Sequence, residues 1–213
     1  MRLLPLLALA CAMPLCTTPS VAGPQSALPS GCPALAKRET LYRVCEDQGA
    51  LLAAARDAAR REGKMVLAVF GATWCPSCKV LHKQMGTLMA SPIGGDRGRT
   101  VGAAFHTVEI ATSTLNGARR EEVASGRAAL DAAVARAGGV KVRGVPFLVV
   151  MDPVEGGKAA ARNLDDVEGQ DGFETASIAS FLAQAERHLR HGEPQPTEPG
   201  WLMRKLTKLW RRL

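Results

Sequence analysis

The chain has 213 residues, 46% hydrophobic and 22% charged, ordinary proportions for a globular protein with room for one well-packed domain plus appendages. A formal net charge of +7 points to an anionic partner only if it is concentrated, and five of the positive charges fall in the final segment, at Arg204, Lys205, Lys208, Arg211 and Arg212. The remaining body is close to neutral, which argues against a nucleic-acid-binding domain.

Residues 1–22 read as an export signal. Arg2 is a minimal positive start, "LLPLLALACAMPL" is too short and proline-broken for a good membrane span, and Ser20-Val21-Ala22 puts small residues where signal peptidase reads, so cleavage is expected after Ala22. A hydrophobic helix of the mature fold is the weaker alternative, because Pro5, Pro14 and Pro19 would interrupt it. A lipid anchor on Cys11 is the lesser reading, since Ala8 stands where a lipobox has a larger aliphatic residue. Removal of the signal takes Cys11 and Cys16 with it and leaves Cys32, Cys45, Cys75 and Cys78. An even count in an exported, periplasmic protein points to disulfide chemistry. No later apolar run is long enough to span a bilayer.

Residues 23–48 form an N-terminal extension that opens with the proline-, glycine- and serine-rich "GPQSALPSG". A body of 49–191 follows. Its first helix is expected over Leu51 to Arg61, which is alanine-rich and stops at Gly63. "KMVLAVFGA" is a continuous apolar run, the pattern of a strand buried on both faces. Cys75 to about Met89 reads as a helix with Pro76 in its first turn, where a missing N–H costs nothing. "SPIGGDRGR" reads as a glycine-rich loop and "AFHTVEIA" as a strand of alternating apolar and polar residues. Gly117 to Ala137 is expected to be one long helix, "VPFLVVMD" a second buried strand, and "GKAAARNLDDVEG" an edge hairpin. Thr175 to Leu189 closes the body as a helix with Ile178, Phe181, Leu182, Ala185 and Leu189 on one face. Helices alternating with buried strands imply an α/β fold, a central sheet covered on both sides.

Chemistry concentrates in "GATWCPSCKVLHKQM", residues 71–85. A cysteine at a helix start lies among unpaired N–H groups, which stabilise the thiolate and lower its pKa. Two residues on, a second sulfur can attack a mixed disulfide formed by the first. Cys75 is therefore the candidate nucleophile and Cys78 the resolving thiol. A structural zinc site lacks a second ligand pair at suitable spacing, so no metal is expected. An inert buried pair is the other alternative. His82, one turn beyond Cys78, reads more readily as a partly exposed helical histidine than as a catalytic one.

"FGATWCPSC" followed by Lys79, together with "Gly144-Val145-Pro146-Phe147" opening a buried strand, resembles the two signatures of the thioredoxin superfamily. The resemblance covers about Leu51 to Leu189. It implies a thioredoxin-like central mixed sheet flanked by helices, thiol–disulfide exchange without a cofactor, and a cis Pro146 facing the cysteine pair. It also implies that Val145 helps bind an extended substrate; Trp74, Pro76 and Ser77 complete the candidate substrate-binding set. Many members carry a buried acid six positions before the first cysteine, which assists proton transfer to the second. Here that residue is Val69, so the proton leaves by another route, such as water or a lysine, or turnover is slower.

Cys32 and Cys45 lie before the first helix, and a structural disulfide between them would contribute about 3 kcal/mol by constraining the unfolded chain. A second exchange pair is the alternative. Residues 192–200 form a proline-rich linker, and 201–213, "WLMRKLTKLWRRL", are expected to form a basic amphipathic helix. That helix suits an anionic membrane surface, or docking on the body or a partner protein, equally well. The expected activity is disulfide exchange with exported protein substrates, in the reducing direction on the strength of the resemblance, with a redox partner to recharge the couple. A thioredoxin-like binding or chaperone module with a non-catalytic pair is the alternative.

Overall fold

The computed structural model describes residue 32 and residues 41–94 and 96–196. The signal (1–22), the leader, the distal linker from 197 and the amphipathic helix (201–213) lie outside the described residues.

Chain order begins with α1 (Gln48–Glu62) and β1 (Met65–Ala72). Asp47 caps α1, accepting a hydrogen bond from the Ala50 N–H at 2.8 Å, and Gly63 ends it. α2 (Pro76–Ala90) follows, then a hairpin of β2 (Pro92–Ile93) and β3 (Asp96–Thr100), and a single-turn α3 (Val101–Ala104). The expected loop at "SPIGGDRGR" is thus a β-hairpin. It orders because Ile93 and Val101 are buried in the same core as α2. The long β4 (Phe105–Asn116) turns directly into β5 (Arg119–Glu122), and α4 (Ala124–Arg136) comes next.

The helix expected from Gly117 to Ala137 is therefore half strand. Ser113–Asn116 pair antiparallel with Arg119–Glu122, and the two-residue loop starts with Gly117 at φ 59°. A glycine at the first loop position gives a turn whose twist matches the flanking strands. Four charged residues make poor core but a good exposed edge, which resists pairing with other chains.

β6 (Phe147–Met151) and β7 (Ala159–Asn163) complete the main sheet, β8 (Glu168–Gly169) and β9 (Gly172–Phe173) form a small separate hairpin, and α5 (Thr175–His191) ends the body. The expected edge hairpin in "GKAAARNLDDVEG" divides accordingly. Its first half is the edge strand β7, and its second half runs into β8.

The sheet order is β5-β4-β1-β6-β7. β1 and β4 are parallel, as a strand–helix–strand crossover through α2 requires, and the other pairings are antiparallel. Alternation along β1 sends Met65, Leu67 and Val69 to one face and Val66, Ala68 and Phe70 to the other. The first face meets Leu81 and Leu88 of α2 and Ile178, Phe181 and Leu182 of α5. The second meets Leu52, Ala55 and Ala59 of α1 and Leu130 and Ala133 of α4. Each large side chain buried this way contributes about 1.5–3 kcal/mol. Small residues let α4 lie close on the sheet: a Cβ at Gly126 would overlap the Ala111 carbonyl oxygen. The result is a mixed five-stranded sheet between helices, with the C-terminal end of β1 delivering the chain to Cys75.

Candidate active site

β1 ends at Ala72, and the Cys75 N–H bonds back to the Ala72 carbonyl at 3.1 Å, so the turn is tight. Cys75 is the N-cap of α2, with extended backbone (φ −81°, ψ 114°), and Pro76 opens the helix. The cap is a sulfur: Cys75 Sγ accepts the Cys78 N–H at 3.0 Å. The free N–H groups of the first turn thus gather at the sulfur of the first cysteine. Cys75 and Cys78 are joined as a disulfide with Cα atoms 5.3 Å apart, and the two residues are 3% and 2% exposed.

The Val145–Pro146 peptide is cis. Its approach brings the Val145 carbonyl oxygen to 3.4 Å from Cys75 Sγ. Val145 and Pro146, remote in sequence, therefore lie with the cysteine pair, Val145 half-buried and Pro146 buried. Pro76 is exposed and Ser77 half-buried beside them. Ser77 Oγ donates to the Glu168 carboxylate, which pins the β8–β9 hairpin over the start of α2. Trp74 donates its Nε1–H to Ser113 Oγ at 2.9 Å. The Arg120 guanidinium stacks on its ring, 3.8 Å from the centroid. The strand β5 that was expected as helix is what brings Arg120 there.

Sequence reasoning missed several residues of this site. Tyr42, ahead of α1, is 1% exposed and packs in one small cluster with Cys75, Cys78, Ala72 and Val123. A Cβ at Gly71 would overlap the Tyr42 hydroxyl and stand 3.2 Å from Cys78 Sγ, so the phenol tip fills the space that a glycine in β1 leaves open. Burial, then the charge of Glu109, pushes the Tyr42 phenol well above its ordinary range. Glu109 Oε1 lies 2.8 Å from His82 Nδ1, so His82 has a specific partner on β4. A glycine interrupting an apolar strand was the available signal, since it often marks a close approach.

Cys32 and Cys45 are also joined, with Cα atoms 5.4 Å apart, and Cys45 packs against the cluster that holds the Cys75–Cys78 pair. Among the described residues no group of histidine, cysteine, aspartate and glutamate could hold a metal ion. Among the same residues no helix is long and apolar enough to cross a membrane.

A mixed sheet between helices, with a Cys-x-x-Cys pair capping a helix against a cis-proline turn, defines a protein of the thioredoxin-like class, whose chemistry is thiol–disulfide exchange. The family model for a thioredoxin-like domain matches residues 52–163, and the chain belongs to that family. The match runs from α1 to the end of β7, so Tyr42, the β8–β9 hairpin and α5 lie outside it. No curated protein and no solved structure matches the chain.

Proposed function

We propose that the protein is an exported thiol–disulfide oxidoreductase that reduces disulfides in protein substrates through Cys75 and resolves the mixed disulfide with Cys78. The observation that carries this reading is Cys75 Sγ at the N-cap of α2, holding the Cys78 N–H at 3.0 Å and facing the Val145 carbonyl at 3.4 Å. The thiolate of Cys75 attacks a substrate sulfur, the substrate disulfide breaks, and one half leaves as thiolate. Cys78 then attacks Cys75 Sγ, and the second half leaves. Two electrons pass to the substrate and the internal disulfide stores the change, so no bound cofactor takes part. An unidentified redox partner recharges the couple.

A strongly oxidising couple owes its potential to a well-stabilised reduced form. Here a carbonyl oxygen faces Cys75 Sγ, and a carboxylate, Glu168, touches Ser77 between the cysteines. Both work against the thiolate that the helix N-terminus favours, and the reducing direction rests on the likeness to the thioredoxin family. Trp74, Pro76, Ser77, Val145 and Pro146 form the rim on which an extended substrate segment lies. The Cys32–Cys45 disulfide serves as a structural clasp. Residues 1–22 direct export to the periplasm, and 201–213 bring the body to an anionic membrane surface.

Insulin reduction tests the activity. The wild type precipitates the insulin B chain, Cys75→Ser does not, and Cys78→Ser accumulates a mixed disulfide. A wild type without activity and a Cys78→Ser variant that traps nothing would leave a binding or chaperone module.

A further inference from the structure

Two hairpins bring charge to the cysteine pair. The β4–β5 hairpin is fastened to the turn before Cys75 by three hydrogen bonds. The Thr73 N–H donates to the Ser113 carbonyl at 3.4 Å, the Leu115 N–H to Thr73 Oγ1 at 3.2 Å, and Trp74 Nε1–H to Ser113 Oγ at 2.9 Å. Arg120 pairs with Leu115 across this hairpin, and its guanidinium lies 3.8 Å from the Trp74 ring centroid. The β8–β9 hairpin is fastened to α2 through Gln84. Gln84 Oε1 accepts the Phe173 N–H at 2.9 Å, and Nε2 donates to the Phe173 carbonyl at 3.3 Å. This hairpin carries Glu168, whose carboxylate accepts from Ser77 Oγ. A cation therefore stands at the residue before Cys75 and an anion at the residue before Cys78.

We propose that Arg120 and Glu168 are specificity-determining residues that select the charge order of the substrate segment. The preferred segment carries an acidic side chain on the Trp74 side of its cysteine and a basic one on the Ser77 side. The inference rests on the oxidoreductase reading above. In an extended segment, the residues two before and two after the cysteine point to the same face as its sulfur. When that sulfur meets Cys75, both side chains therefore face the rim, about 6–7 Å along the chain to either side. One meets the guanidinium on Trp74 and the other the carboxylate on Ser77, and reversing the order sets like charges against each other.

Both charges are available to a ligand. Arg120 and Glu168 are exposed, and among the described residues neither has an ion-pair partner. A guanidinium stacked on an indole keeps its N–H edge for a carboxylate, and a carboxylate that accepts one hydroxyl has lone pairs left for an ammonium. Arg143, in the loop before Pro146, is by contrast taken by Asp165. The two carriers arrive from opposite edges of the main sheet: β5 is one edge strand, and β8 follows β7, the other. Leu115, opposite Arg120 and 36% exposed, offers apolar contact beside the cation. Glu122, across from Ser113, and Lys79 of α2 are also exposed at this margin. They are common to every variant and cancel in a comparison of charge order.

Two symmetric peptide disulfides of identical composition test the charge order with the reduced full chain. One has aspartate two residues before its cysteine and lysine two residues after, and the other has them exchanged, so net charge and leaving group are the same. Single-turnover reduction by the wild type should favour one peptide at least about threefold at low salt, within the range for two exposed ion pairs. The ratio should fall toward one at ~1 M salt, where the screening length is about 3 Å. In the charge exchange Arg120→Glu with Glu168→Lys the preference should invert, which a loss of packing alone does not produce. Urea midpoints establish that the variant is folded. Where it is not, Arg120→Gln and Glu168→Gln should each bring the ratio closer to one. A smaller ratio in the wild type, a preference that keeps its sign in the folded exchange variant, or one that keeps its size in the folded single variants overturns the assignment. Reduction of neither peptide overturns the oxidoreductase reading and the assignment with it, and is seen before any substitution is made.

Discussion

Raising the pH above 10 should destabilise this protein through one identified group. Tyr42 is the chain's single tyrosine, it is 1% exposed, and its phenol is held well above the ordinary value of 10.0 by burial first and the Glu109 charge second. A folded pKa above the unfolded one means that the stability is fully present below the unfolded value and is lost as pH rises toward the folded value. In that window the unfolded chain releases the proton and the folded chain keeps it, so unfolding free energy falls at about 1.4 kcal/mol per pH unit. Relative to a Tyr42→Phe reference, the loss is about 0.4 kcal/mol at pH ~10 and about 1.4 kcal/mol at pH ~11. Lysine and arginine titrations are common to both proteins and cancel in the comparison. Urea titrations of both proteins between pH ~9 and ~11 measure the difference directly. Because no second tyrosine contributes, near-ultraviolet phenolate absorbance follows Tyr42 alone in the folded chain. A phenol that titrates near 10 without unfolding, or parallel stability curves for the two proteins, would refute the packing argument for Tyr42 against Gly71 and Cys78.

Two further substitutions probe the scaffold. Gly126→Ala places a Cβ into the Ala111 carbonyl, with backbone rather than a pliable side chain in the way. It should cost about 2–3 kcal/mol, read as a lowered urea midpoint with unchanged slope. Cys45→Ser opens the Cys32–Cys45 bridge, which spans a sequence separation of 13, and should cost about 3 kcal/mol in the chain-entropy account. Insulin reduction by that variant should persist below its unfolding transition, and its loss in a still-folded protein would assign the bridge to the exchange chemistry.

Much of the scaffold was legible because burial on both faces leaves a plain trace. "KMVLAVFGA" and "VPFLVVMD" contain the fully buried β1 and β6, and the apolar spacing of α5 marks the face that meets Leu67 and Leu148 in one core. The charged run Arg119–Glu122 misled for a physical reason. Its local preference is helical, but Ser113–Asn116 offer it a ladder and Asn116-Gly117 starts the turn, so pairing overrides propensity. The hairpin at 92–100 was hidden similarly, since glycines signal a loop unless a neighbouring core accepts Ile93. The cysteine pair and Val145-Pro146 were visible as motifs. Their partners Ser113, Arg120 and Glu168 were not, because each arrives through a register or a hairpin fixed only by the tertiary fold.

Glu109 shows where reading along one strand stops. In "AFHTVEIA" Thr107 and Glu109 alternate with Val108 and Ile110. In the sheet α2 lies on one side of β4 and α1 and α4 on the other, so that polar stripe borders the groove between helices. Val69 alone suggested that the sheet lacks an acid near the cysteines. The Val69–Glu109 register puts a carboxylate one strand over in the same layer, facing the same helix. Gly71 then becomes intelligible as part of that arrangement. Its missing side chain leaves the space that the Tyr42 hydroxyl fills, close to Cys78.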